Sequence, residues 1–158
     1  MSCSVTRFKV QDWDEIVTRP EARESLESLK KEAIWEEVYT KGMPIFTYRE
    51  DEGIVMIYGM LYMGCGTFMP VIVAGELMAR HAKTVIKLLW QYYATYVPAN
   101  ARRLEAYCDI MDVKAVRLTE RFGFTPIGIR HNSSVEGHDQ VIMERLVNCD
   151  ARKVGRNF

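Results

Sequence analysis

The sequence has no excess of charge of either sign: 21 Lys and Arg face 21 Asp and Glu in 158 residues, a formal net charge of zero. Without a field of one sign, nucleic acid, anionic lipid and polyanions are excluded as partners recognised by bulk charge, so any anion site must be local. Metal ligands are missing too. Cys3, Cys65, Cys108 and Cys149 lie far apart, with no Cys-x-x-Cys and no His-x-x-x-His, so the usual zinc spacings are absent and no metal is expected. Each cysteine lies in or near an apolar run, where it serves as a small hydrophobe, and such scattered use fits a reducing, cytoplasmic compartment. Apolar runs are short. The longest, Ile54 to Met63, is half of what a membrane helix needs, and Met1 to Val10 holds no signal-type apolar core. A chain neither exported nor embedded in a membrane is the expectation. No Gly-x-Ser-x-Gly occurs, and His81, His131 and His138 do not cluster, so a serine-hydrolase triad has no support.

What is present is a globular composition, 48% hydrophobic and 27% charged, in a length suited to one core. Residues Ser4 to Val10 alternate weakly, as a strand does. Pro20 suits a first helical turn, and Ala22, Leu26, Leu29 and Ala33 recur at helical spacing until Gly42. Pro44 to Arg49 and Ile54 to Met63 read as a hairpin about Asp51-Glu52-Gly53, and Gly64-Cys65-Gly66 turns the chain into a strand over Thr67 to Val73. From Glu76 to Val97 the period becomes 3.6, with Met78, Ala82, Val85, Leu89, Tyr92, Tyr93 and Tyr96 on one broad face. Arg103 to Cys108 is a strand, Asp112 caps a helix from Val113 to Phe122 that Gly123 ends, and strands follow over Phe124 to Arg130 and Gln140 to Val147. Trp90, Tyr92, Tyr93, Tyr96 and Tyr107 lack interleaved basic residues and read as packing groups, not base-stacking ones; Met56, Met60, Met63 and Met69 read as core filling.

This order describes one α/β (α+β) domain over residues 1–147, followed by a basic tail over 148–158 with Arg152, Lys153 and Arg156. A single mixed, mostly antiparallel sheet of six to seven strands with helices on both faces is expected. The unit from Thr67 to Cys108 is a right-handed crossover joining parallel neighbours, and pockets in such folds lie at the carboxyl ends of those strands. The residues after Val73 are therefore the first place to seek a site.

The element order, with Asp112-Val113-Lys114-Ala115 leading to Arg121-Phe122-Gly123-Phe124-Thr125-Pro126-Ile127-Gly128 and then Asp139-Gln140-Val141-Ile142-Met143-Glu144-Arg145, resembles the GNAT superfamily of acyl-CoA-dependent acetyltransferases. The resemblance covers about Ser4 to Val147. It implies acetyl-CoA as co-substrate, held between the fourth and fifth strands beside Val71 and Val73, and an amine as acceptor. In the family, a loop of pattern [Gln/Arg]-x-x-Gly-x-[Gly/Ala] opens the long helix, and its amides hold the pyrophosphate at the helix N-terminus. The matching stretch here runs from Gly75 to Thr84 and has no second glycine. Two readings stand side by side. Arg80, His81, Lys83 and Thr84, about Ala82, contact phosphate through their side chains, or they form the solvated first turn of an amphipathic helix.

A second departure concerns the acid that protonates the leaving thiolate. Family members place a Tyr four residues ahead of the Gly of Gly-Phe, and that position is Thr119, a far weaker acid than a phenol with pKa about 10. Cys108, Tyr107 or a water is a substitute. Asp112 falls where the family has an Asn that bonds the pantetheine arm, and a helix cap explains it equally. Glu76, after the fourth strand, and Glu105, in the fifth, are the acids nearest the expected cleft and the candidates for general base; a cap or surface charge is the other explanation. Glu21, Glu24, Glu27, Glu32, Glu36 and Glu37 attract a cationic acceptor or form an ordinary solvated face with Lys30 and Lys31.

The leading expectation is an acetyltransferase acting on an amine. The alternative is a catalytically inactive domain of this shape, a structural or interaction module, favoured by the missing second glycine and by Thr119. Such a divergent form is similar to the GNAT-like proteins of tailed bacteriophages, some of which belong to the virus particle, so oligomer or virion assembly is the role it would imply.

Overall fold

In the computed structural model of the chain, residues 3–19, 44–134 and 137–147 are described. Seven strands form one sheet of order β1-β2-β3-β4-β5-β7-β6. They are β1 (Ser4–Arg7), β2 (Phe46–Glu50), β3 (Gly53–Gly64), β4 (Thr67–Ala74), β5 (Arg103–Asp109), β6 (Thr125–Arg130) and β7 (Gln140–Leu146). All neighbours are antiparallel except β4 and β5, which are parallel as the crossover reading requires. The described helices are α1 (Asp12–Glu15), α2 (Ala82–Tyr96) and α3 (Val113–Arg121), with a 3-10 turn over Glu76–Ala79. The helix expected over residues 20–42 and the tail 148–158 lie outside the described residues.

Two apolar clusters place helices on both faces of the sheet. On one face α2 buries Val85, Leu89, Tyr92 and Tyr93 against Tyr48, Met56, Tyr58 and Met60 of β2 and β3, and Ala115 and Leu118 of α3 pack on the same cluster. Tyr92 completes its burial by donating its hydroxyl to the Pro44 carbonyl at 2.9 Å, which satisfies its polar end. On the other face Trp13 and Ile16 pack with Ile45, Ile54, Ile57 and Val73. Because β3 is central and covered on both sides, its run is apolar at nearly every position and does not alternate.

Helix α1 is too short to persist unaided. Its first residue, Asp12, is 3% exposed. The Asp12 carboxylate accepts from Thr47 Oγ1 at 2.5 Å, Arg49 Nη2 at 2.5 Å and the Lys9 backbone N–H at 3.0 Å, which pins α1 to β2.

Three expectations need correction. Helix α1 has no helical period, so pattern alone misses it. The long helix begins at Ala82, not Glu76. The Gly75 N–H is bonded to the Val55 carbonyl and the Glu76 N–H to the Val17 carbonyl, so the chain leaves β4 still tied to its neighbours. A tight 3-10 turn then buries Leu77 before the α-helix can start. Met56 and Met60 are fully buried as expected, but Met63 is 54% exposed because the β3–β4 hairpin extends past the helices that cover its base.

Candidate functional site

Strands β4 and β5 pair only at Thr67 with Arg103 and Phe68 with Leu104. Beyond those residues no pairing holds them, and a wedge opens toward their carboxyl ends. Helices α2 and α3 cover it, leaving a cavity of about 480 Å³. Ile72 and Ala74 of β4 and Ala106 of β5 form its floor, Val85 and Ile86 of α2 one wall, and Leu118 and Phe122 of α3 the other.

The free edge of β4 supplies the polar groups of this apolar space. In an antiparallel pair alternate residues turn their peptide groups toward the partner strand. The Gly75 N–H to Val55 carbonyl bond (2.9 Å) fixes the phase, so Gly75, Val73 and Val71 bond toward β3. Ile72 then presents its N–H and C=O groups and Ala74 its N–H group to the wedge, where no described strand receives them, while the segment Val17 to Arg19 bridges the end of β4 at Gly75. The peptide groups of Val71 and Val73, the residues expected beside the cofactor, are thus turned to β3. Val73 does border the cavity, yet its side chain is buried in the opposite cluster beside Trp13, and Val71 packs next to it.

Gly75 ends β4 under tight constraint. A Cβ there would lie 2.6 Å from the Ile54 carbonyl oxygen and 2.8 Å from that of Val55. Both contacts are backbone and cannot rotate away. Gly75→Ala is expected to destabilise by about 1–3 kcal/mol, as overpacking does. Urea unfolding measures this, and a variant as stable as the parent would show that β4 can retreat.

Of the five residues expected to contact phosphate at the start of α2, only Ala82 lines the cavity. The others turn elsewhere. Arg80 Nη1 lies 3.4 Å from Glu52 Oε2, an exposed pair worth little to stability. His81 Nδ1 is 3.5 Å from Glu50 Oε1, and its ring meets that of Tyr48 edge-on. Tyr48 donates to Glu50. Burial and then this carboxylate push the Tyr48 phenol up to about 12, with a hydrogen bond to the Thr84 side chain acting the other way. Arg80, His81 and Thr84 therefore serve the β2–β3 hairpin, and Lys83 is exposed.

Asp112 caps α3 and borders the cavity. Its Oδ1 accepts from the Ala115 N–H at 3.0 Å, and its Oδ2 pairs with Arg19 Nη2 at 2.9 Å. Thr119 also lines the cavity, but its hydroxyl donates to the Ala115 carbonyl at 2.9 Å and lies 3.3 Å from Cys108 Sγ. With its proton engaged, the Thr119 oxygen is the acceptor for Cys108. Burial pushes the Cys108 thiol up.

Glu76 is exposed on the rim of the cavity. Glu105 is not brought to it. Strand β5 alternates, with Leu104, Ala106 and Cys108 buried toward α2 and α3, so Glu105 and Tyr107 lie on the far face. There Tyr107 donates to Glu105, whose Oε2 is 3.3 Å from Arg103 Nη2.

The sequence reading missed the cations that do reach the cavity from its helical wall, Lys114, Arg117 and Arg121 of α3, with Arg19 across the opening. Their signal was legible as i, i+3, i+7 spacing, which puts all three on one helix face.

No family model matches the chain, and no curated protein matches it. Solved structures match in shape. The N-acetyltransferase from Staphylococcus aureus Mu50 superposes with a TM-score of 0.65 at 15% identity, covering 92% of this chain and 99% of that one. The acetyltransferase of GNAT family from Streptococcus pneumoniae gives 0.64 at 15%, with coverage of 92% and 99%. The spermidine N-acetyltransferase from Vibrio cholerae in complex with CoA and spermine gives 0.65 at 13%, covering 91% and 95%. With one mixed seven-stranded sheet opened between its parallel strands, and with these neighbours in shape, the chain has the GNAT N-acetyltransferase fold.

Proposed function

We propose that this protein binds acetyl-CoA in the wedge between β4 and β5 and transfers the acetyl group to an amine. The observation that carries the reading is the cavity itself. Its floor and walls are mainly apolar, and one side is a strand edge offering the N–H and C=O of Ile72 and the N–H of Ala74. Such an edge pairs with an extended amide-bearing chain as another strand would, and the pantetheine arm is of that kind. Acetyl-CoA, when bound, supplies an activated thioester. The structures of this shape include one solved with CoA and spermine, which supports the assignment.

This chain's residues then divide the work. Ile72 and Ala74 orient the arm, and Val85, Ile86 and Phe122 exclude water around it. Glu76, a carboxylate on the rim, accepts the proton that the amine must lose, directly or through water. Glu105, on the far face and held by Arg103 and Tyr107, is the second candidate should the acceptor approach from that side. Thr119 shapes the wall beside the leaving sulfur; with its hydroxyl proton directed at Ala115, solvent is the proton source in this reading.

A thermal-shift titration tests the binding step. A ligand at 100 times its dissociation constant stabilises by about 2.7 kcal/mol, which in a domain of this size raises Tm by roughly 5–10 °C. A melting curve unmoved by millimolar acetyl-CoA would end the enzyme reading.

One observation favours a second reading, a domain of this shape used in assembly: Thr119, where the resemblance places the acid, is a hydroxyl engaged with its own helix. Acetyl-CoA binding without thiol release across simple amines, polyamines and peptide N-termini would select it.

A further inference from the structure

We infer that the phosphate groups of the cofactor are held by the side chains of Lys114, Arg117 and Arg121 on α3, and not by the turn that opens α2. The inference rests on the acetyl-CoA reading and concerns which residues grip the charged end.

Three observations converge. First, all three cations line the cavity, whereas Arg80, His81 and Lys83 do not. Second, none of the three has a carboxylate partner among the described residues, while Arg19, Arg80 and Arg103 are each paired with an acid. Of the two carboxylates on the cavity wall, Asp112 is already compensated by Arg19. The cavity therefore carries uncompensated positive charge on its α3 side. Third, seven residues of helix separate Lys114 from Arg121, a rise of about 10 Å. That length allows contacts to two separate phosphate groups on one nucleotide.

A solvated face would show acids interleaved with these bases, since pairs of opposite sign at i, i+3 and i, i+4 stabilise an exposed helix. Here Leu118, which lies between them on that face, packs on the core, and the helix's one acid, Glu120, three residues after Arg117, forms no ion pair with them among the described residues. The long side chains can lay their stems along this apolar wall and put their charged heads at the opening. Arginine also meets phosphate through two parallel N–H bonds and carries a full charge. The missing second glycine before α2 then has a consequence and a remedy: the backbone approach is narrowed there, and side chains on the facing helix take its place.

Calorimetric titration of the full chain with acetyl-CoA tests this, using Lys114→Ala, Arg117→Ala and Arg121→Ala singly and together, and Arg80→Ala with Lys83→Ala as the contrasting pair. Each single α3 variant is expected to weaken binding roughly three- to tenfold and the triple variant about 100-fold, in line with charge-assisted bonds at an open site. The slope of log affinity against log salt should flatten in the triple variant. Acetyl-pantetheine, which lacks the phosphates, should bind the parent and the triple variant alike. Because these side chains are exposed, unfolding curves of the variants should match the parent and exclude a folding defect. If the triple variant binds acetyl-CoA as the parent does, if it loses acetyl-pantetheine equally, or if the Arg80 and Lys83 pair carries the loss, the inference is overturned while the acetyl-CoA reading stands. If the parent binds no acetyl-CoA, both fall.

Discussion

Phe122→Ala is expected to cost about 3–5 kcal/mol, the usual range for removing a buried aromatic ring. Phe122 is 2% exposed and closes α3 against α2, its ring centroid 5.2 Å from that of Trp90 and 5.4 Å from that of Tyr93. Its carbonyl accepts from Arg145 Nη1 at 2.9 Å, and the same guanidinium lies over the Trp90 ring. Gly123 follows with φ +80, a conformation that releases the chain into β6. Truncation would remove the ring on which α2, α3 and β7 converge and merge the void with the cavity beside it. Against a typical stability of about 5–15 kcal/mol the loss is severe, and Tm should fall by roughly 10 °C or more. Phe122→Leu, which keeps most of the volume, should retain more than half of the difference. Denaturant unfolding of both variants decides: a loss below about 1 kcal/mol for the alanine variant would mean that α3 is held by other contacts.

Asp12→Ala is expected to cost about 3 kcal/mol, the low end for breaking a buried charge pair. The low end applies because Arg49, 29% exposed at its side chain, can rehydrate and still reach Glu15 at 2.6 Å. Thr47, fully buried, cannot, and its hydroxyl loses its acceptor. The same site predicts an acid sensitivity. Burial alone would raise the Asp12 carboxyl, but the bonds from Thr47, Lys9 and Arg49 outweigh it and hold the group below its ordinary 3.8. A depressed native pKa stabilises above the unfolded value and is lost as pH falls through the native one. The stability gap between the parent and Asp12→Asn should therefore be constant near neutrality and narrow below pH 3.8. A gap that stays constant through that range would show that Asp12 contributes by shape and not by charge.

How far the sequence reaches is clearest at particular elements. Helix α2 was legible because Val85, Leu89, Tyr92 and Tyr93 repeat at the helical period, and a period in sequence is a face in space. The cap at Asp112 and the stop at Gly123 were legible because each acts on backbone within a few residues. The site was less so. The peptide groups of Val71 and Val73 bond toward β3, which local pattern does not show, because which edge of β4 is free depends on the register with β3, and a shift of one residue reverses every peptide group. Between phosphate contact and a solvated turn the local sequence does not choose for Arg80 and His81, because Glu52 and Glu50, which lie beside them, come about 30 residues earlier. Glu105 stood near the cleft in sequence and faces away from it in space, since strand alternation settles sides only once a neighbour is known.

By itself, then, the sequence determined the strands and their order, the bodies of α2 and α3, and the balance of 21 against 21 charges, which are properties of composition and local period. The tertiary structure alone decided where the balance breaks. Acids from the β2–β3 hairpin neutralise the start of α2, Arg19 neutralises Asp112, and Lys114, Arg117 and Arg121 remain uncompensated on the cavity wall among the described residues. The physical reason is range: screened charges act over about 8 Å, and which charges lie that close is set by strand pairing between distant segments, not by neighbours along the chain.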